Sequence, residues 1–279
     1  MAYSEVSITP TTAAKMIAEQ WTRDIEKPFY NALFFQDAVT KRTELSSGGT
    51  KLNIPFLSSY NARDKVAGTP VVYDANVETE IELTINKHKY LAFILEDITK
   101  IQANYNLQEL YRGAQKEAIA RAIDTDIGAL HASAGTNVAG GATVDDADIL
   151  AVVAALDLAN VPQTDRAGIV GAKTMGDLRA VNKYAAYDQT GKTGTAVSDN
   201  PNVPMVYGMD LYMSNNVAAD TVTHNLFFHK SAISLALQLK PTYKMEDSVD
   251  VIGLKTVLHT IYGVAVERSA ALVDLERTV

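Results

Sequence analysis

Two alternating segments, Lys51–Phe56 and Val77–Asn86, bracket a polar stretch too long to be an ordinary turn. In the first, Leu52, Ile54 and Phe56 share one face. In the second, Val77, Thr79, Ile81, Leu83 and Ile85 lie opposite Glu78, Glu80 and Glu82. A period of two predicts two strands of one antiparallel ribbon. Pro55 has no amide proton for a ladder hydrogen bond and predicts an edge. The stretch between them carries Arg63-Asp64-Lys65, Gly68 and Pro70. It exceeds the ~12–15 residues beyond which structureless loops become uncommon in compact domains. A two-stranded ribbon is marginal in water and needs a surface over its apolar face. Each side reaches up to roughly 50 Å when fully extended, far enough to leave its own domain. Two coverings are open: the chain's own core, or a neighbouring copy.

The rest of the chain falls into order around this ribbon. At the N-terminus, Thr9 and Pro10 predict a helix start, and Met16, Ile17, Trp21 and Ile25 form a narrow apolar stripe that Pro28 stops. That stripe packs either on its own domain or, as an arm, on a neighbour. Tyr90–Leu95 is a continuous apolar run and predicts a strand buried on both faces. From Leu107 to Leu130, apolar residues recur at three-and-four spacing, predicting a helix on the order of 36 Å long that ends by Gly135 and Gly140-Gly141. Residues 143–240 read as mixed α/β. A helix starts at Thr143–Asp146 and closes at Pro162, a strand covers Gly168–Ala172, and a helix runs from about Met175 to Val181. A polar loop at 184–202 precedes strands at 205–213 and 225–229. A long β segment at Leu254–Glu267 and a final strand at Ala271–Leu275 complete the chain. No internal repeat of 20–50 residues is present, which removes solenoids and propellers.

Composition excludes several function classes. The 279 residues contain no Cys, so a disulfide scaffold, a thiolate metal site and a cysteine nucleophile are all ruled out. With 25 basic and 33 acidic side chains the net charge is −8, and no run of four basic residues occurs, which argues against a dedicated nucleic-acid binder. The longest apolar run, Ile149–Leu156, falls far short of the ~20 residues of a membrane-spanning helix. The first residues show no secretory pattern.

Candidate chemistry is sparse. Gly191-Lys-Thr193 lacks the P-loop glycine five residues upstream, where Ala186 stands, and reads as a surface loop. The five histidines, His88, His131, His224, His229 and His259, show no ligand spacing. His224 and His229 flank Asn225–Phe228 at the ends of a predicted strand, and His131 suits the C-terminal dipole of the long helix. The carboxylates at Glu96-Asp97, Asp124/Asp126 and Asp145-Asp146/Asp148 each fit a helix start, a helix face or a cap. No catalytic constellation, cofactor site or metal site emerges.

The order of elements is similar to that of the major capsid proteins of tailed phages, the Hong Kong 97-like α+β fold. Lys51–Phe56, Leu83–Asn86 and Phe93–Asp97 resemble the rise, return and exit of that family's extended loop. Ala118–Asp126 resembles its spine helix, and Asn225–Ala236 and Tyr262–Arg268 resemble closing segments of podovirus-type members. The resemblance implies an N-terminal arm at 1–40, an extended loop at 41–95 and the spine of a peripheral domain at 96–134. It implies an axial domain at 135–240 and return strands at 241–279. It further implies a non-enzymatic structural protein of the virion, assembled in the host cytoplasm as hexamers and pentamers into an icosahedral shell around double-stranded DNA, which it would not bind sequence-specifically. Its partners would be other copies of itself, with scaffold, portal and decoration proteins, and no membrane. Arg63, Asp64 and Lys65 at the loop tip, and Trp21 in the arm, are the expected inter-subunit contacts. An encapsulin-type compartment shell of the same fold and a soluble α/β enzyme stand as alternatives.

Overall fold

The computed structural model describes residues 35–57, 62–71, 73, 78–102, 107–181 and 205–278. Trp21 and the rest of the N-terminal stripe lie outside the described residues, as do Val77 and the loop containing Gly191-Lys-Thr193.

The strands form three sheets. The first has four strands: β1 (Thr40–Arg42), β10 (Ile233–Ser248), β11 (Gly253–Val266) and β4 (Lys87–Glu96), in that order. The second has six: β5 (Thr136–Ala139), β12 (Leu272–Thr278), β9 (Val222–His229), β6 (Arg166–Val170), β8 (Met209–Met213) and β7 (Met205–Val206). The third is the ribbon itself, β2 (Lys51–Leu57) against β3 (Glu78–Thr84). The chain changes sheet at the 3-10 turn Lys230–Ala232, where β9 of the second sheet gives way to β10 of the first. It returns to the second sheet with β12.

After the short α2 (Asp97–Gln102), the long helix, α3 (Leu107–Gly128), covers one face of the first sheet. Its 22 residues span about 33 Å. Ile119, Ile123 and Ile127 recur at helical spacing and are buried with Phe35 of α1 (Phe35–Ala38), Leu235, Leu258 and Tyr262. Polar ties fix the seam. Gln115 donates to the Leu91 carbonyl at 3.1 Å, and the Tyr243 hydroxyl donates to the Arg112 carbonyl at 2.8 Å. Phe93 packs on Tyr111 with ring centroids 5.2 Å apart. Below them, Tyr262 donates its hydroxyl to Asp126, whose other oxygen lies 2.9 Å from the Lys87 ammonium. Burial alone would raise the Asp126 pKa; these two donors and Lys89 hold it below the ordinary carboxylate range.

The helix stops at Gly128, ahead of Gly135, and residues Ala129–Ser133 tighten into a 3-10 turn instead of continuing to Leu130 as α-helix. At Gly128 an added Cβ would lie 3.1 Å from the Asn216 carbonyl, so a side chain there would hold that loop away.

The second sheet carries α4 (Asp146–Leu158) and α5 (Ala172–Ala180) on one face, over Val170, Phe227, Val273 and Leu275. The predicted start of α4 is confirmed as a capping box: the Asp145 carboxylate accepts from the Ala147 and Asp148 amides, and Asp148 accepts from the Asp145 amide. The helix ends at Leu158, before Pro162, by way of Asn160 at φ 53°. The expected strand at 205–213 is a hairpin, turning at Tyr207 and Gly208, both with positive φ.

One further expectation changes. Tyr90–Leu95 is a strand, but it is not buried on both faces: Leu95 is 4% exposed, while Tyr90 is 71% and Ile94 53% exposed. Helix α3 covers the Phe93 side of the strand, while the Tyr90 and Ile94 side is open among the described residues; the ribbon base covers that second face only at the other end of the sheet, over Ala236 and Ala265. Residues 233–248 form one long strand through Pro241. The ladder to β11 shifts register between Leu237 and Leu239 and again between Leu239 and Thr242, so proline sits at an irregularity where no regular rung is lost.

Candidate assembly surface

The ribbon grows from a tightly held base. Just upstream, Arg42 of β1 makes a bidentate ion pair with Glu267, at 2.9 Å to each oxygen, and Glu267 also accepts from the Ser234 hydroxyl. Leu45, Leu83 and Ala236 form a small buried core there, with Leu52, Ile85 and Ala265 packed against it. The approach is close enough to require glycine: a Cβ at Gly263 would fall 2.3 Å from the Thr84 carbonyl. The register pairs Leu52 with Leu83 and Ile54 with Ile81, placing the apolar residues on one face as the alternation predicts. On the other face Lys51 meets Glu82 at 2.8 Å. Phe56 lies under the Arg268 guanidinium, 5.3 Å from its ring centre.

Every described residue from Ala62 to Val71, and Tyr73, is exposed. Three of them are large and apolar: Val66, Val71 and Tyr73, the last 90% exposed. The expected tip residues Arg63, Asp64 and Lys65 are here. Lys65 turns inward, its ammonium donating to the Val66 carbonyl at 2.8 Å and to the Thr69 carbonyl, while the Thr69 hydroxyl also donates to Val66 at 2.8 Å. Its charge therefore shapes the turn.

Two more apolar surfaces are open. The hairpin joining β10 to β11 presents Val249 and Ile252, 90% and 72% exposed. The uncovered face of the first sheet forms a groove lined by His88, Tyr90, Ala92, Lys244, Val257 and His259. In it His88 Nε2 lies 3.3 Å from His259 Nδ1. Burial, then Lys244 and His88, lowers the His259 pKa.

One polar cluster was not legible from spacing. His131, His224 and Asp274 converge where the 3-10 turn after α3 meets the second sheet, and they are the one group of three metal-ligating side chains among the described residues. His224 is buried in β9 with His131 stacked on it, ring centroids 3.6 Å apart, so neither histidine is the isolated strand-end or dipole residue the sequence suggests. Burial, and then His224, lowers the His131 pKa; burial raises that of Asp274 against its hydrogen bond from His224. The signal available in the sequence was Asp274 itself, a carboxylate inside the apolar strand Leu272–Leu275.

No family model and no curated protein matches the chain. A solved structure from Mycobacterium phage Che8 matches at TM-score 0.81 and 25% identity, covering 93% of this chain and 96% of that one. The capsid of cyanophage P-SCSP1u matches at TM-score 0.78 and 17% identity, covering 100% and 99%. The mature capsid of bacteriophage PhiM1 matches at TM-score 0.75 and 13% identity, covering 94% and 92%. The chain has the Hong Kong 97-like α+β fold of tailed-phage major capsid proteins.

Proposed function

We propose that this chain, built on a capsid fold, is the major capsid protein of a tailed phage. It assembles with copies of itself as hexamers and pentamers into an icosahedral shell that encloses a double-stranded DNA genome in the host cytoplasm. Scaffold, portal and decoration proteins are the further partners this reading brings. The observation that carries it is the ribbon: its base is locked to the body, while its tip holds three large apolar residues in water. Large exposed apolar groups mark interaction sites, and here they occur at the ribbon tip, at the β10–β11 hairpin and on the open sheet face. A subunit that must touch several neighbours needs such separated surfaces.

Arg63 and Asp64 at the tip, and Trp21 in the arm, are the proposed contact residues. Lys65 contributes by holding the tip turn. Exposed ion pairs at such contacts supply ~0–1 kcal/mol each, so they set register while the apolar groups supply affinity. The net charge of −8 supports a shell wall that repels packaged DNA and so leaves it mobile. Electron microscopy and sedimentation of the purified protein test the reading. Capsomers and closed shells are expected; a small closed oligomer or a stable monomer at high concentration would overturn it.

A further inference from the structure

We propose that His131, His224 and Asp274 bind one divalent transition-metal ion of the zinc class, clamping the end of the spine helix to the second sheet. The site is independent of shell assembly. Its three side chains come from the turn after α3, from β9 and from β12, and their ligand atoms all lie within 4.8 Å of one another. Two imidazoles with one carboxylate is a donor set suited to zinc and its neighbours.

The register explains the convergence. Strands β9 and β12 are antiparallel, with Asp274 opposite Leu226 and Glu276 opposite His224, so His224 and Asp274 sit diagonally on the same face. That face looks toward the end of α3, where His131 lies. Asp274 Oδ2 accepts from His224 Nδ1 at 2.6 Å and is 3.6 Å from His131 Nδ1. Both Nδ1 atoms therefore border one carboxylate oxygen.

Two observations point to a ligand rather than to a finished hydrogen-bond network. The Asp274 side chain is 1% exposed, yet its Oδ1 has no hydrogen-bond partner. An unpartnered buried carboxylate oxygen is costly, and a dication beside it removes that cost. The second observation is Asp220, whose Oδ1 lies 3.5 Å from the far nitrogen of His224, Nε2, itself without a hydrogen bond. Metal-bound histidine commonly gives its other N–H to a carboxylate, which fixes the ring and its tautomer. With metal at Nδ1, the His224 proton resides on Nε2 and faces Asp220, giving a carboxylate–histidine–metal arrangement.

Ligand atoms around a tetrahedral zinc stand about 3.3 Å apart, given bonds of about 2.0–2.1 Å. The present spacings bracket that value, so binding lengthens the His224–Asp274 contact and turns the His131 ring out of its stack. His131 is the freer of the two rings, with its side chain 22% exposed against 8% for His224.

The test uses the full chain, stripped by a chelator and titrated with Co²⁺ and then Zn²⁺. One Co²⁺ per chain with visible d–d absorption, displaced by Zn²⁺, is expected. His131→Gln should weaken Co²⁺ binding at least about tenfold while leaving the circular dichroism spectrum unchanged, and Asp220→Asn should weaken it about tenfold. Zn²⁺ should raise the melting temperature of the parent chain and not of His131→Gln. Absence of stoichiometric Co²⁺ binding by the parent, or an affinity untouched by His131→Gln, would overturn the proposal.

Discussion

Arg42 and Glu267, 225 positions apart, meet as a bidentate ion pair directly beneath the base of the ribbon. Arg42 closes the short strand β1, and Glu267 follows the last residue of β11, so one pair ties the approach to the ribbon to the sheet that supports it. The Glu267 side chain is 4% exposed and that of Arg42 is 28% exposed.

Removing the cation alone strands a buried carboxylate. Arg42→Ala should therefore destabilise the subunit by about 2–4 kcal/mol, somewhat under the full value for a wholly buried pair because water reaches Arg42. Urea denaturation measures it. The double variant Arg42→Met/Glu267→Leu should recover most of the loss, since it leaves no unpaired charge. A double variant no better than Arg42→Ala would show that geometry, and not charge burial, governs this corner.

Asp124 supplies a pH dependence of known sign. It is fully buried on α3, and burial pushes its carboxyl up to about 6, opposed by the Gln36 side chain and the Phe35 and Gln36 amides. None of these donors completes a hydrogen bond to it. The folded chain therefore holds this proton more tightly than the unfolded chain, whose carboxyl titrates near 3.8. Its contribution is fully present below pH 3.8 and is lost as pH rises through about 6. Asp124→Asn should stabilise the subunit at pH 7 by about 2–3 kcal/mol, a difference that vanishes near pH 4. Thermal melts of both chains across that range provide the check.

At the ribbon tip, stability and assembly should separate. Val66→Ser/Val71→Ser alters exposed residues and should change subunit stability by no more than ~0.5 kcal/mol. The same double variant should assemble poorly, with free capsomers or subunits dominating in sedimentation. Deleting 61–68 should behave likewise. A deletion that abolishes folding would mean that the ribbon stabilises its own subunit.

The particular elements show how far the sequence carries. Alternation in 51–56 and 77–85 predicts the ribbon and its inward face, because burial of one side imposes a period of two. The run Tyr90–Leu95 predicts burial on both faces, yet α3 covers only the Phe93 side, and the Tyr90 and Ile94 side is open in the single chain. Apolar pattern reports that a face is to be covered, not which chain covers it. Strand β10 is not legible in the sequence, because Pro241 and the register shifts around it break the period. The histidine cluster was illegible for another reason: positions 131, 224 and 274 have no common spacing, and only the β9–β12 register with the turn after α3 brings them together.

In the proposed shell, neighbouring copies cover the exposed ribbon tip. The chain contains no Cys, so Tyr73→Cys introduces a single thiol at a residue that is 90% exposed in the lone subunit. Its rate of reaction with a thiol reagent should be fast in dissociated subunits and at least about tenfold slower in purified shells. Equal rates in the two states would mean that the tip stays open to solvent in the shell, against the proposed function.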